Sequence, residues 1–325
     1  MSESVREHTY PTIEGAHRAR ERISAYLAPT PLRSYPSLSG LVGARVWVKH
    51  ENLLSTGAFK VRGGVNLTIA ERETVARTGV IAASTGNHGQ SVAYAAHLFG
   101  IEARICVPRG ANAVKVRAMQ DLGAEVIFHG ADFDEAREHA AALATEHGYR
   151  YVHSGDEPLL IEGVGTHTLE ILEELDDVDA IFVPIGGGSG AAGTCVVAKS
   201  MRPSVRVVGV QSSAARAAYD SWKTGELVTG TMGTRAEGLA TRTAFELPQA
   251  VMRDLLDDFL LVSDDEIDRA TIAMIEHTRT LVEAAGAAAL AGALSIKEQI
   301  AGKTVVLICS GANITPDQLR VVLGA

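Results

Sequence analysis

The chain has 325 residues, of which 46% are hydrophobic, 5% aromatic and 21% charged, with a formal net charge of −9. That length holds two domains, or one large one, around a sizeable core. The acidic balance, with no basic tract, argues against a nucleic-acid partner, and no apolar run is long enough to cross a bilayer.

Residues 1–6 are polar and lack an apolar signal core, which predicts a cytoplasmic protein, and residues 1–10 are expected to be mobile. The periodicity predicts an amphipathic helix over 12–27, with Ile13, Ala16, Ala19, Ile23 and Leu27 at helical spacing. Pro29, Pro31 and Pro36 end it in a loop; a short helix over 37–41 and a strand over 45–49 follow. After a loop over 51–57, a helix is predicted over 61–75, with Val65, Ile69 and Val75 apolar.

From 79 to 154 strands and helices alternate: strands over 80–83, 103–107, 125–128 and 151–153, helices over 91–99, 113–122 and 132–147. Alternation of this kind implies a parallel sheet with helices on its faces. Right-handed crossovers put the strand C-terminal ends, including 84–90, on one edge. A helix over 158–175 carries Ile161, Val164, Thr168 and Leu172 on one side. Strand 180–185, helix 191–200 and strand 205–210 resume the alternation. Residues 211–246 read as irregular, with Gly225, Gly230, Gly233 and Gly238. A strand over 255–262, a helix over 264–277 capped by Ser263 or Asp264, an alanine-rich helix over 283–300 and a strand over 303–309 complete the chain. The fold class is α/β, with a smaller domain over 79–155 and a larger one from 1–78 and 156–325. The site is expected between them, outside the strand C-termini.

Three cysteines, Cys106, Cys195 and Cys309, lie far apart, match no zinc spacing and read as core thiols. The chemistry sits elsewhere. Lys60, in Ala58-Phe59-Lys60-Val61-Arg62-Gly63-Gly64, stands at a loop-to-helix junction, where the helix dipole disfavours a cation. A lysine there can have a lowered pKa, and a neutral amine is what attack on an aldehyde requires. Taken alone Lys60 is an ordinary surface lysine; its company changes that. Ser84-Thr85-Gly86-Asn87-His88-Gly89-Gln90 and Gly186-Gly187-Gly188-Ser189-Gly190 each follow a strand and open a helix. Helix starts present unpaired N–H groups suited to anions, here a carboxylate and a phosphate. Gly188-Ser189-Gly190-Ala191-Ala192-Gly193 also fits a dinucleotide fingerprint, which wants an acid at the end of the next strand. That strand ends in Gln211, with no carboxylate before Asp220, so the glycines suit a tight cup around one phosphate. Lysine, phosphate cup and carboxylate cradle together describe a pyridoxal phosphate site that handles an amino acid.

With these motifs the chain resembles the fold type II pyridoxal phosphate enzymes (tryptophan synthase β-like), in the threonine/serine dehydratase and serine racemase branch. The resemblance runs from Thr30-Pro31-Leu32 through the stretches above and Glu237-Gly238-Leu239-Ala240. It continues through Leu256-Asp257-Asp258 and Val282-Glu283-Ala284-Ala285-Gly286 to Ser310-Gly311-Ala312-Asn313-Ile314. It implies two domains of parallel-rich twisted sheets flanked by helices. It makes Lys60 the Schiff-base lysine and the base for the α-proton, with Phe59 packed beside the cofactor. Asn87 would bond the ring hydroxyl, and Ser84, Thr85, Gly86 and His88 the substrate carboxylate. Gly186, Gly187, Gly188, Ser189 and Gly190 would hold the phosphate, Gly238 a backbone position near the cofactor, and Ser310 the pyridine nitrogen. Asn87 also reads as a turn asparagine, and His88 as a capping or packing residue without proton transfer.

The reaction implied is loss of the β-hydroxyl from a small amino acid, L-threonine to 2-oxobutanoate or L-serine to pyruvate, with ammonia. A hydroxyl at Ser310 cannot hold a pyridinium proton, which weakens the ring as electron sink and favours prompt elimination. The alternatives are a serine or aspartate racemase, a dehydratase of a bulkier substrate such as hydroxyaspartate or phenylserine, and a non-catalytic pyridoxal-binding protein. The side chain accepted is expected to depend on which of Leu54, Thr56 and Ala240 converge. A homo-oligomer, dimer or tetramer, is implied. There are departures from the family. Ala58 replaces a usual serine, and Thr85 stands where racemases place a serine base. Residues 211–217, the family's divalent-metal stretch, hold no carboxylate and contain Arg216, so no metal is expected. With Ser310-Gly311-Ala312-Asn313 close to Ala325, no C-terminal regulatory domain is expected.

Overall fold

The computed structural model describes residues 10–324, so the expectation for 1–10 falls outside the described residues except at Tyr10. Helix α1 (Ile13–Ile23) starts where the Thr12 side chain accepts the Gly15 N–H, and it stops four residues short of Leu27. Strand β1 (Leu32–Ser34) lies in the stretch read as a proline loop. It is an edge strand, where a neighbouring proline is tolerated. Next come α2 (Pro36–Val42) and β2 (Arg45–His50). The single helix expected over 61–75 is two, α3 (Lys60–Ala70) and α4 (Arg72–Thr78), broken at Glu71, whose carboxylate is taken by Arg150.

The alternating region follows the expected order: β3 (Val80–Ala83), α5 (Asn87–Phe99), β4 (Ala103–Val107), α6 (Ala113–Asp121), β5 (Glu125–Phe128), α7 (Phe133–His147) and β6 (Arg150–Tyr151). Then come α8 (Pro158–Glu174), β7 (Ala180–Pro184), α9 (Ser189–Met201) and β8 (Arg206–Ser212). The stretch read as irregular contains α10 (Ala217–Thr224) and a short 3-10 turn at Glu237–Leu239. Helix α11 (Glu246–Leu255) delays the next strand, β9 (Asp258–Val262), which was expected from 255. Helix α12 (Asp264–Thr278) begins with a capping box between Ser263 and Glu266. Helix α13 (Ala284–Ser295) ends before the expected residue 300; β10 (Thr304–Cys309) and an unanticipated α14 (Pro316–Leu323) follow.

Two sheets result. One has the order β1-β2-β10-β7-β8-β9, parallel except for β1; the other, β5-β4-β3-β6, is wholly parallel. Strand β10 sits centrally, pairing Thr304 to Cys309 with Arg45 to His50 on one side and Leu307 with Phe182 on the other. Helix α13 packs flat on the larger sheet because its residues are small: a Cβ on Gly292 would stand 2.4 Å from Val210. This is an α/β fold in which strand C-terminal ends from both sheets are free to carry loops. All three cysteines are buried, and burial raises their thiols. Among the described residues no helix is long and apolar enough to cross a membrane.

Candidate active site

The C-terminal ends of β2, β10, β7 and β3 open on one cavity of about 390 Å³. From β2 the chain runs through a short turn to Phe59 and Lys60; from β10, to Ser310; from β7, to the glycine cup; from β3, to Ser84, Thr85 and Gly86. A backbone bond from Phe59 N–H to the Ser310 carbonyl (3.1 Å) clips the first two loops together. Every residue nominated from the sequence lines this cavity: Phe59, Lys60, Ser84, Thr85, Gly86, Asn87, His88, Gly186, Gly187, Gly188, Ser189, Gly190, Gly238 and Ser310. Of the three side chains expected to shape the pocket, Ala240 does so. Leu54 instead packs with Val61 and Val65, and Thr56 lies buried outside the lining.

Lys60 is the first residue of α3, and its ammonium donates to Ser189 Oγ (2.7 Å) and to the Ser154 carbonyl (3.0 Å). The cavity leaves its side chain partly accessible, yet the surrounding protein strips enough water to lower the amine to about 8. Among the described residues no carboxylate pairs with it. Behind it the first turn of α3 is anchored by a buried charge cluster. Arg62 bonds Glu51 (2.7 Å) and Glu170 (2.6 Å), and Lys49 bonds Glu170 (2.5 Å) and the Thr30 carbonyl (2.8 Å). Arg62 holds Glu51 down at about 2 against the cost of burial. Ser91 Oγ donates to the Lys60 carbonyl (2.7 Å), tying α5 to the same turn.

Helix α9 begins at Ser189, two residues earlier than expected, so its first N–H groups face the cavity from within the cup. Gly188 has φ +92°, a left-handed conformation open to glycine. A Cβ on Gly186 would stand 2.4 Å from the Gly238 carbonyl, which explains why those two backbones meet here. Helix α5 likewise begins at Asn87 rather than Ser91. Asn87 and His88 therefore sit in its first turn, with Ser84 Oγ accepting the Gly86 N–H (3.1 Å). The His88 ring serves the cavity wall: Nε2 donates to the Val152 carbonyl (3.0 Å), and burial, then the Lys60 charge, lowers it to about 3. It is a neutral packing residue whose N–H contributes at the helix start.

Several residues in or behind the cavity wall escaped the sequence reading. Glu283 accepts from Asn87 Nδ2 (2.7 Å), and Asn313 Nδ2 donates to Asn87 Oδ1 (2.7 Å). Both lie in stretches already noted for the resemblance, but no spacing rule points to their side chains. Lys115 of α6 pairs with Glu237, while Arg242 pairs with Asp134 at the start of α7 (3.2 Å), with Arg137 beside it. Ser154 follows β6 and so obeys the same strand-end rule as the nominated loops.

An amine of lowered proton affinity at the floor, two helix N-termini for two anions and a neutral hydroxyl at Ser310 fit a phosphorylated pyridine aldehyde together with an amino acid. Comparison with known proteins agrees. A family described as "Pyridoxal-phosphate dependent enzyme" matches residues 23–311. The chain is 40% identical over 308 residues to the L-threonine ammonia-lyase of Geobacter sulfurreducens (strain ATCC 51573 / DSM 12127 / PCA), covering 94% of this chain and 76% of that protein. It is 36% identical over 315 residues to the L-threonine dehydratase catabolic TdcB of Escherichia coli (strain K12), covering 96% of each. The solved structure of maize serine racemase superposes with a TM-score of 0.91 at 33% identity, covering 97% of this chain and 98% of that one. Since the match spans nearly the whole chain and the cavity it encloses suits the cofactor, this chain belongs to the family of pyridoxal-phosphate dependent enzymes.

Proposed function

We propose that the enzyme eliminates the β-hydroxyl of a small amino acid, converting L-threonine to 2-oxobutanoate or L-serine to pyruvate, with release of ammonia. The observation that carries this is Lys60: a desolvated amine with no carboxylate partner among the described residues, placed between the glycine cup and the start of α5. Pyridoxal phosphate, when bound, supplies the electron sink for the Cα–H bond that breaks. In this reading Lys60 Nζ removes the α-proton, and its low proton affinity lets it act near neutral pH. The first turn of α5, with Ser84, Thr85, Gly86 and His88, orients the substrate carboxylate. Gly186 to Gly190 hold the phosphate, Gly238 approaches the cofactor by backbone alone, and Phe59 packs beside it. Ser310 offers a neutral partner to the ring nitrogen, and Asn87 one to the ring hydroxyl.

The test is release of ammonia and 2-oxo acid in equal amounts by purified holoenzyme given a panel of β-hydroxy amino acids. Release from none of them overturns the proposal. A second reading, a substrate with a side-chain carboxylate, is favoured by Arg137 and Arg242, which both line the cavity around Asp134. Adding hydroxyaspartate to the panel separates it from the first. We propose too that no divalent metal is needed at 211–217, where Gln211 Oε1 accepts the Tyr219 N–H (3.0 Å). A loss on chelation that magnesium restores would refute that. The division into domains 79–155 and 1–78 with 156–325, and a cytoplasmic homo-oligomer, belong to the same reading. Limited proteolysis, cell fractionation and light scattering test them.

A further inference from the structure

Asn87 is bonded at both ends of its amide, and the direction of each bond can be deduced. Asn313 Nδ2 donates to the Thr56 carbonyl (2.8 Å), a group that can only accept. The amide of Asn313 is therefore fixed with its nitrogen inward, and that nitrogen also reaches Asn87 (2.7 Å). Asn87 must answer with Oδ1, which turns Nδ2 toward Glu283 Oε1 (2.7 Å). A carboxyl oxygen of Glu283 accepts in either protonation state. Donation thus starts at Asn313 Nδ2, which gives one N–H to the Thr56 carbonyl and one to Asn87, and Asn87 in turn gives one to Glu283, so that one N–H of Asn87 is left over.

We propose that Asn313 and Glu283 are positioning residues that hold Asn87 in a single amide orientation, so that it meets the cofactor as a hydrogen-bond donor and not as an acceptor. This rests on the reading of Asn87 as the partner of the ring hydroxyl. A flipped Asn87 would turn a carbonyl toward an oxygen that carries negative charge, which is repulsive. Held as it is, the donor stabilises the deprotonated ring oxygen and lowers the proton affinity of the oxygen–lysine pair when the cofactor is attached to Lys60. The side chains around Glu283 leave room for this. It is buried, with Lys115 and Glu237 the charged groups facing it and the Cys309 thiol nearby. Burial raises its carboxyl, while Lys115 and the Asn87 bond oppose that.

The readout is the pH titration of the visible band of the resting holoenzyme, which needs no turnover. Asn313→Asp has nearly the same shape but no N–H to give, so it should reverse the Asn87 amide and raise the titration midpoint by about one pH unit, a tenfold change in proton affinity. Glu283→Ala should raise it by less, since Asn313 still directs one end. Glu283→Gln can accept through its own oxygen and should leave the midpoint within a few tenths of a unit of the parent. A plain charge effect would also raise the midpoint in Asn313→Asp, which gains a carboxylate, but it makes both Glu283 variants, which lose one, lower the midpoint together. That result, or no shift in Asn313→Asp with cofactor still bound, overturns the relay. Asn87→Ala serves as the control. If it leaves the midpoint unmoved, the assignment of Asn87 to the ring hydroxyl has failed; if it raises the midpoint while Asn313→Asp does not, the relay alone has failed.

Discussion

The lowered proton affinity of Lys60 is open to a direct kinetic measurement. An ordinary lysine at 10.5 is neutral in only about 0.03% of molecules at pH 7, whereas one at about 8 is neutral in about 10%. Attachment of the cofactor aldehyde needs the neutral amine, so Lys60 should react roughly 300-fold faster at pH 7 than a free lysine derivative, on proton affinity alone. The shift arises from burial and lowers the charged form, so the reactive fraction grows as pH rises and levels off above about 8. The perturbation is pH, applied to protein freed of cofactor. The assay is stopped-flow formation of the visible band on adding pyridoxal phosphate between pH 6 and 10, with the free lysine derivative measured in parallel. Borohydride reduction and peptide mapping then locate the label. The rate for the protein should climb about tenfold per pH unit and then flatten near 8, while that of the free derivative goes on climbing to about 10.5. Ser189→Ala should move the plateau to lower pH, because Ser189 Oγ accepts from the charged amine (2.7 Å). A protein rate still climbing beyond pH 9.5, or a label on another lysine, would refute the reasoning.

Three other outcomes are expected. Gly187→Ala places a Cβ 2.2 Å from the Phe245 ring; overpacking of about 1–3 kcal/mol should lower Tm and weaken cofactor retention, and an unchanged Tm contradicts the packing argument. Arg62→Met strands the buried Glu51, leaves Glu170 only Lys49 as a charged partner, and should cost about 3–5 kcal/mol in urea unfolding. Glu51 is held at about 2, below its ordinary 4.5, so its stabilisation is complete above 4.5 and lost as pH falls toward 2. The variant should therefore show a flatter stability profile across that window, and an equally steep one counts against the cluster. For Thr85, whose β-branched side chain lines the cavity, chiral analysis of a partly converted L-serine reaction should find mostly pyruvate, with Thr85→Ser raising D-serine; D-serine formed as fast as pyruvate by the parent enzyme rules this out.

Where the sequence read well, one short pattern governed one element. Strands 80–83, 103–107 and 125–128 are found at their predicted bounds, since each is an apolar run closed by polar or turn residues. The nominated loops met in one cavity because parallel strands send their C-terminal ends the same way. Errors came where tertiary contacts decide. Glu71 breaks α3 from α4 with its carboxylate on Arg150, a residue far along the chain. Helices α5 and α9 gain an early turn because Asn87 and Ser189 find partners in the cavity that local propensity does not register. Glu283, Asn313, Arg137 and Arg242 reach the site by side-chain direction alone, which neither spacing nor composition encodes.

The central place of β10 bears on how the protein is made. The chain emerges from its N-terminus, and the four strands between residues 80 and 151 pair only with one another, so that sheet can close early. Strands β2 and β7 find local partners, β1 and β8, on one side only: on the other, residues 45–50 wait for 304–309, and 180–182 wait for the same strand. Until then each presents an open edge bearing Val46, Val48, Ile181 and Phe182, the kind of edge that invites association between nascent chains. Ser310 and the clip between its carbonyl and Phe59 arrive with that last strand. Lys60 is synthesised early but acquires its surroundings late, so capture of the cofactor reports that the larger sheet has closed.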